Sequence, residues 1–337
     1  MTTAHTAWPW QNDGGGATRL QREIDDDGWA LFHDPSAISR AADPLAFAES
    51  LFGQRPLRFQ KMTIESDPAG NQRTLPKTMF AGALHNDCAQ LGLPPQVQVM
   101  VCERQAPVGG GSLILDLWPL LDRIRIEDPA LLDALFSVPR AFPSGHSTRY
   151  GLTWSLCRGN LVCLHPTQAR TGRVGLAFQR IINGTPPVAF KCRPGDVYVN
   201  NNHRCLHGRQ AFEDPTRRFT RFLYWFARPL AAPSHLVELA AQGTQALARR
   251  FDGEPRWVLQ QLGADAPQMS PSLAEQAARV VETLTVPTHC DDWQGPGQRR
   301  LLLQEALLSA LWPLMAAAPP SPEALHQHLR ALVDLEA

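Results

Sequence analysis

The chain carries a small set of residues arranged to hold a metal ion. Leu84-His85-Asn86-Asp87 places an imidazole two positions before a carboxylate. In an extended strand, residues i and i+2 point to the same face, so His85 and Asp87 can address one ion together. Far downstream, Leu206-His207-Gly208-Arg209 offers a second imidazole. Two imidazoles and one carboxylate occupy one face of an ion and leave three positions open, a set suited to iron(II). A His-x-Asp triplet alone often arises by chance. The informative feature is the order: His-x-Asp, a strand, a late histidine, then arginines ten to fourteen residues further on. No catalytic residue beyond these ligands is singled out. Cys88 and Cys205 lie beside the ligand positions and could themselves ligate, but small buried side chains are the expected role. His203 shares a strand face with His207 but sits about 13 Å away along it, too far to share one ion. It is read as a supporting or structural residue. His146 and His165 have no partner motif. His326 and His328 are two apart in a helical stretch and do not share a face.

These residues need strands to present them. Pro194-Gly195 is a turn signal, and Val197-Tyr198-Val199 a short β-run behind it. Phe219–Phe226 is a second β-run with arginines at its entrance. Alternation along it puts Arg217 and Arg221 on one face and Arg218 on the other. Arg217 and Arg221 could also pair with Glu213 or Asp214 at the surface. Upstream, Trp29–Phe32, Leu57–Ile64, Gln96–Glu103 and Ser112–Asp116 read as strands. Thr148–Cys157 and Leu161–Leu164 read as a hairpin around residues 158–160. Helices are expected from Thr18, as N-cap, to Asp27, over Pro44–Phe52, Leu117–Ile126 and Pro129–Phe136, and over 176–182 within an irregular region. Residues 65–78 are polar with two prolines, a loop ahead of the ligand motif of the kind that covers a site. Short strands separated by turn signals, with long insertions, argue for a sandwich or barrel decorated with helices. After Pro229 the character changes: 235–250, 272–285, 299–318 and 323–335 have apolar residues at helical spacing. The expected division is a loose tail over 1–17, a β domain over 18–230 and an all-α extension over 231–337.

Composition narrows the function classes. Lys+Arg and Asp+Glu are equal at 32 each, so nothing calls for nucleic acid or an anionic membrane as partner. Hydrophobic residues make up 44%, enough for a sizeable core. The 7 cysteines include no CxxC pair, which argues against a disulfide framework or a zinc knuckle and for a reducing cytoplasm. No signal peptide and no bilayer-length apolar run is visible.

The motifs LHND at 84–87, PVGGGSLILD at 107–116, GDVYVNNNHRCLHGR at 195–209 and RRFTRFLYWFARP at 217–229 together resemble the iron(II)/2-oxoglutarate-dependent dioxygenases of the TauD/TfdA type, which include the clavaminate-synthase-like enzymes. The resemblance covers roughly residues 20–230. It departs from the usual pattern at Asn201-Asn202, where the family often has Asp-Asn, and at Gly110-Gly111-Ser112, where it often has Gly-Gly-Asp-Thr. The resemblance implies a double-stranded β-helix, or jelly roll, with iron held by His85, Asp87 and His207. It implies 2-oxoglutarate and O2 as cosubstrates, with 2-oxoglutarate's far carboxylate on a bidentate arginine and Ser112 contributing a hydroxyl contact. By position, Arg217 falls to 2-oxoglutarate and Arg221 to an anionic group of the primary substrate. The competing register gives Arg221 to the cosubstrate. Because Asp87 is present, chlorination is disfavoured. Hydroxylation is the default outcome, with desaturation or cyclisation open. The expected substrate is a small amino-acid-like molecule or natural-product intermediate. A homodimer partner or a carrier protein would dock through the helical extension. Two other classes stay open: a zinc hydrolase on the same His/Asp/His set, and a non-catalytic metal-binding scaffold.

Overall fold

The structure is a computed structural model that describes residues 6–11, 14–66, 78–89, 93–138, 140–144, 147–157, 159–165 and 172–250. In chain order the first part contains β1 (Trp8–Pro9), α1 (Gly15–Asp27), β2 (Trp29–His33), α2 (Ala37–Arg40), α3 (Pro44–Phe52), β3 (Arg58–Glu65), β4 (Gly82–His85), β5 (Val97–Arg104) and β6 (Ser112–Asp116). Then follow α4 (Trp118–Glu127), α5 (Pro129–Ser137), β7 (Arg140–Ser144), β8 (Ser147–Gly151), β9 (Trp154–Cys157), β10 (Asn160–Cys163) and α6 (Gly172–Gly184). The last elements are β11 (Val188–Phe190), β12 (Asp196–Asn201), β13 (Cys205–Arg209), β14 (Arg218–Trp225) and α7 (Ser234–Arg250).

Two sheets face each other. The larger has the order β1-β2-β12-β5-β14-β3, and the smaller β11-β6-β13-β4. Neighbouring strands are far apart in sequence, as in a jelly roll, so both sheets are assembled by long crossovers. Alternation along the strands sorts the core into three layers. Val97, Val99, Val101, Phe222 and Tyr224 point outward from the large sheet and bury Leu20, Ile24, Phe47 and Leu51 of α1 and α3. Leu115 and Leu206 point outward from the small sheet against α4, α5, α6 and α7. Between the sheets lie Met100, Cys102, Tyr198 and Phe219 from one side and Ile114, Phe190, Cys192 and Cys205 from the other.

Arg204 ties the end of β6 to the carboxyl end of α1. Its guanidinium donates to both oxygens of Asp116 at 2.8 and 2.6 Å and to the Asp25 and Asp26 carbonyls at 2.8 and 2.7 Å. It thereby caps the carboxyl end of α1, where carbonyls would otherwise lack partners.

Several sequence expectations need correction. Residues 8–11 and 14–17 do not form a loose tail. Trp8 and Pro9 pair in parallel with Phe32 and His33, and Trp8 and Trp10 pack on Phe32. The first helix begins at Gly15 behind a Gly14 N-cap, and Thr18 instead bonds back to the Gly14 carbonyl. Residues 147–157 are two strands, not one: β8 pairs with β7, and β9 with β10. The helix expected over 176–182 runs over the whole of α6. Of the all-α extension only α7 is described; the helices expected over 272–285, 299–318 and 323–335 lie outside the described residues, as does most of the loop at 65–78. No described helix is long and apolar enough to cross a membrane. No disulfide joins the six described cysteines to one another.

Candidate metal centre

Two strands of the small sheet bring the histidines together. His207 on β13 is the register partner of His85 on β4, and their ring centroids lie 4.4 Å apart. Asp87 joins them by a different route from the one the spacing suggests. The strand ends at His85, and Asp87 sits in the turn that follows, so strand alternation does not place it. A side chain from the β12–β13 turn does. Asn202 accepts from the Asp87 N–H at 2.8 Å, and its amide nitrogen donates to the Asp87 carbonyl at 3.1 Å and to the Pro95 carbonyl at 2.9 Å. Asn86, between the two ligands, donates to the Cys163 carbonyl at 2.5 Å and accepts from the His165 N–H at 2.7 Å. The ligand segment is thus pinned on both sides of its backbone.

One donor atom from each of His85, Asp87 and His207 lies within 4.8 Å of the others, the only such cluster of three among the described residues. Asp87 Oδ1 is 3.8 Å from His85 Nε2, and Oδ2 is 3.6 Å from His207 Nε2. The tautomers suit an ion at the centre. His85 Nδ1 contacts the Ala83 carbonyl at 2.8 Å, and a carbonyl can only accept, so Nδ1 carries the proton and Nε2 the lone pair. His207 Nε2 lies 3.1 Å from the amide nitrogen of Gln98, which can only donate, so its lone pair also sits on Nε2. Burial, reinforced by His85 and Arg221 against the pull of Asp87, lowers His207 to about 3, so its imidazole is neutral near pH 7. Burial pushes the Asp87 carboxyl up, but Arg221, His207, His85 and the Gln98 hydrogen bond outweigh it and hold it at about 2. A carboxylate at Asp87 and a neutral imidazole at His207 are the states that a metal ion requires of such ligands, and the residues fit the ion the donor set suggests.

Two contacts here had no signal in the sequence. Gln98, on β5, donates to Asp87 Oδ2 at 2.6 Å. Arg221 Nη1 reaches both Asp87 oxygens, at 3.0 and 2.9 Å, and Nη2 lies 3.4 Å from the Met62 sulfur. Arg221 therefore meets Asp87 of the candidate cluster.

Arg217 lies four residues before Arg221, just ahead of β14. It is buried, packs over Phe219 at 4.0 Å and Phe212 at 5.2 Å, and donates from Nε to Gln105 Oε1 at 3.1 Å. Among the described residues no carboxylate forms an ion pair with it. Burial lowers its pKa from the usual arginine value. Gly110 turns the β5–β6 connection past this side chain with φ 73°, and a Cβ there would meet Arg217 Nε at 3.2 Å and Gln105 Oε1 at 2.9 Å. Ser112, buried at the start of β6, is within hydrogen-bond reach of Tyr198 and Cys192, which interact electrostatically with Arg217. Ser112 and Arg217 thus meet the same two side chains, Tyr198 and Cys192. Arg218 faces outward and pairs with Glu103 at 3.0 Å, so Arg217 and Arg221 share the inner face. His203 is no ligand: its Nε2 lies 2.9 Å from the Pro94 carbonyl, inside the turn that carries Asn202. Cys205 approaches the Gly28 carbonyl and is not in the cluster.

Comparison with known proteins adds an independent line. A sequence profile of the "Taurine catabolism dioxygenase TauD, TfdA family" matches residues 7–188, a span that holds His85, Asp87 and Ser112 and stops short of His207, Arg217 and Arg221. The chain is similar to dioxygenase str8 of Strobilurus tenacellus, 27% identical over 174 residues, which is 43% of this chain and 38% of that protein. The match thus spans well under half the length of that relative. Among solved structures, an asparagine oxygenase in complex with Fe(II), 3-hydroxyasparagine and succinate superposes with a TM-score of 0.50 at 15% identity, covering 62% of this chain and 77% of that one. The non-heme iron oxygenase OrfP gives a TM-score of 0.49 at 15% identity, over 63% of this chain and 80% of its own. The asparagine oxygenase likeness is one of fold. The profile match covers more than half of the chain, and the protein is accordingly a member of the TauD/TfdA dioxygenase family.

Proposed function

We propose that the protein is an Fe(II)/2-oxoglutarate-dependent oxygenase acting on a small, amino-acid-like molecule. The observation that carries this reading is the pairing of two features on one inner surface: the His85, Asp87 and His207 cluster, and a buried Arg217 with no carboxylate partner among the described residues. A buried guanidinium without a counter-charge is costly, and a dicarboxylate bridging it to the metal would supply that charge. A zinc hydrolase has no use for such a cation.

Each residue then has a task. His85, Asp87 and His207 would hold iron through Nε2, a carboxylate oxygen and Nε2. Bound there, iron supplies activation of O2 coupled to decarboxylation of 2-oxoglutarate to succinate, which oxidises the substrate. Arg217 would take the far carboxylate of 2-oxoglutarate as a bidentate pair, with Ser112 and Gly110 beside that end. Phe219 and Phe212 keep that end dry, which strengthens the charge-assisted contact. Arg221 holds the Asp87 carboxylate in orientation through Nη1 and borders the side from which a substrate's anionic group would approach. Hydroxylation is the default outcome; desaturation or cyclisation would follow from a different placement of substrate over the same residues.

The direct test supplies the purified protein with Fe(II), 2-oxoglutarate and O2 and follows succinate by NMR. Slow succinate formation without added substrate, dependent on both iron and O2, is expected. No succinate under any combination would refute the reading.

A further inference from the structure

The inner face of the large sheet carries a row of amide side chains beside the metal centre. Cross-strand register sets Trp29, Asn200, Gln98, Leu223 and Gln60 side by side on β2, β12, β5, β14 and β3. Register partners share a face of the sheet. Gln98 shows that this face is the inward one, because its amide nitrogen reaches Asp87 and His207. All three carboxamides are closed off from solvent: Asn200 is 0%, Gln98 1% and Gln60 2% exposed. Buried polar atoms are ordinarily hydrogen-bonded. Here Gln98 Oε1, both terminal atoms of Asn200 and both of Gln60 have no hydrogen-bond partner among the described residues. Unmet donors and acceptors collected in one row, next to a ligand cluster, mark a surface shaped for a polar guest.

Gln98 fixes the chemistry of that guest. Its nitrogen donates to Asp87 Oδ2, so flipping the amide would set Oε1 against the carboxylate. The atom left over is therefore an acceptor, Oε1, and it calls for an N–H or O–H. Asn200, directly across the strand pair, is free to turn its nitrogen toward the same guest. A carboxylate could accept from Asn200 Nδ2 but would set its own oxygen against Gln98 Oε1. A carboxamide answers both, donating N–H to Gln98 Oε1 and accepting from Asn200 Nδ2. Gln60 extends the polar lining past Leu223, beside Met62 and Arg221.

We propose that Gln98 and Asn200 form a subsite that takes a neutral carboxamide, primary or cyclic, on the substrate, in preference to a carboxylate of the same shape. The proposal deepens the oxygenase reading above and rests on it. The test uses the full chain, anaerobic, loaded with Fe(II) and saturating 2-oxoglutarate. Binding of two isosteric probe pairs, L-asparagine with L-aspartate and L-glutamine with L-glutamate, is measured by saturation-transfer NMR. At least one amide should bind on the order of tenfold or more tightly than its acid, and both Gln98→Leu and Asn200→Leu should erase that preference. Asn200 touches no ligand residue, so its variant keeps the test open if Gln98→Leu disturbs the centre. Equal binding within each pair, a preference for the acids, or failure of both amides to bind overturns the subsite and leaves a water-filled polar layer in its place. The visible absorption of the Fe(II)–2-oxoglutarate chelate, recorded before any probe is added, judges the underlying reading separately. The band without amide preference removes only the subsite; no band removes both.

Discussion

His207 and His203 lie four residues apart, and burial acts on both while only one serves the centre. Burial lowers His203 from 6.5 to about 4, with the Pro94 carbonyl pulling the other way. An unfolded chain would take up that proton near pH 6.5. The folded state therefore has the full benefit of a neutral His203 above pH 6.5 and loses it as pH falls toward 4, by about 3 kcal/mol in all. Denaturant titrations of the metal-free protein at pH 7.5 and pH 4.5 should show this loss, and His203→Gln, which keeps a donor for Pro94, should reduce it. An unchanged slope in that variant would assign the acid sensitivity elsewhere. The arginines separate by partner. Arg217→Ala should raise the 2-oxoglutarate requirement roughly 10–150-fold, the worth of a lost charge-assisted contact of about 1.5–3 kcal/mol, and Arg217→Lys should restore only part of it. If Arg221→Ala gives that phenotype and Arg217→Ala does not, the two roles exchange. The ligand types and the two same-face arginines were legible in the sequence because spacing and alternation are local properties. Gln98 was not. It reads as one polar position of an alternating strand, and its contact with His207 joins residues 109 positions apart.

Elements explain what spacing alone misplaced. Asp87 is not presented by the strand that carries His85; the β12–β13 turn reaches across and holds its peptide through Asn202. Asn202→Ala should therefore weaken Fe(II) binding about 10–100-fold, as loss of a support behind a ligand does, while the secondary structure by circular dichroism stays unchanged. Metal affinity equal to that of the unaltered protein would show that the turn is dispensable. The later strands of the large sheet and β6 of the small one were legible from alternation and turn signals, usually to within a residue or two, whereas β11 and β13 were not read as strands. The first strand and the early start of the first helix were not legible either. A two-residue parallel pairing leaves no periodic pattern, and Gly14-Gly15-Gly16 reads as loop until Trp8 and Trp10 are seen against Phe32.

At the scale of the molecule, the long crossovers make both sheets depend on distant segments. Helix α7 shows this beyond the last strand. Leu236 and Ala240 are buried in the layer outside the small sheet, and Thr244 Oγ1 accepts from the Leu156 N–H at 2.9 Å. Gly243 faces the carbonyl of Phe136, the penultimate residue of α5, so closely that a Cβ would collide with it. Gly243→Ala should gain in helix propensity yet destabilise the protein by more than about 1 kcal/mol, because both helices must part. A thermal midpoint at or above that of the unaltered chain would mean that α7 does not dock there. The sequence marked the change to helical composition after Pro229 but gave no sign of which surface α7 covers, since that depends on α5 and β9, about 100 residues earlier in the chain.

The central claim is that His85, Asp87 and His207 hold iron while Arg217 anchors 2-oxoglutarate beside it. The most direct measurement is anaerobic titration of the protein with Fe(II) and 2-oxoglutarate, followed by visible absorption. The account predicts a weak charge-transfer band that saturates at one iron per chain, is absent in His207→Ala, and needs far more 2-oxoglutarate in Arg217→Ala. A band of undiminished strength in His207→Ala, or none in the unaltered protein, would contradict it.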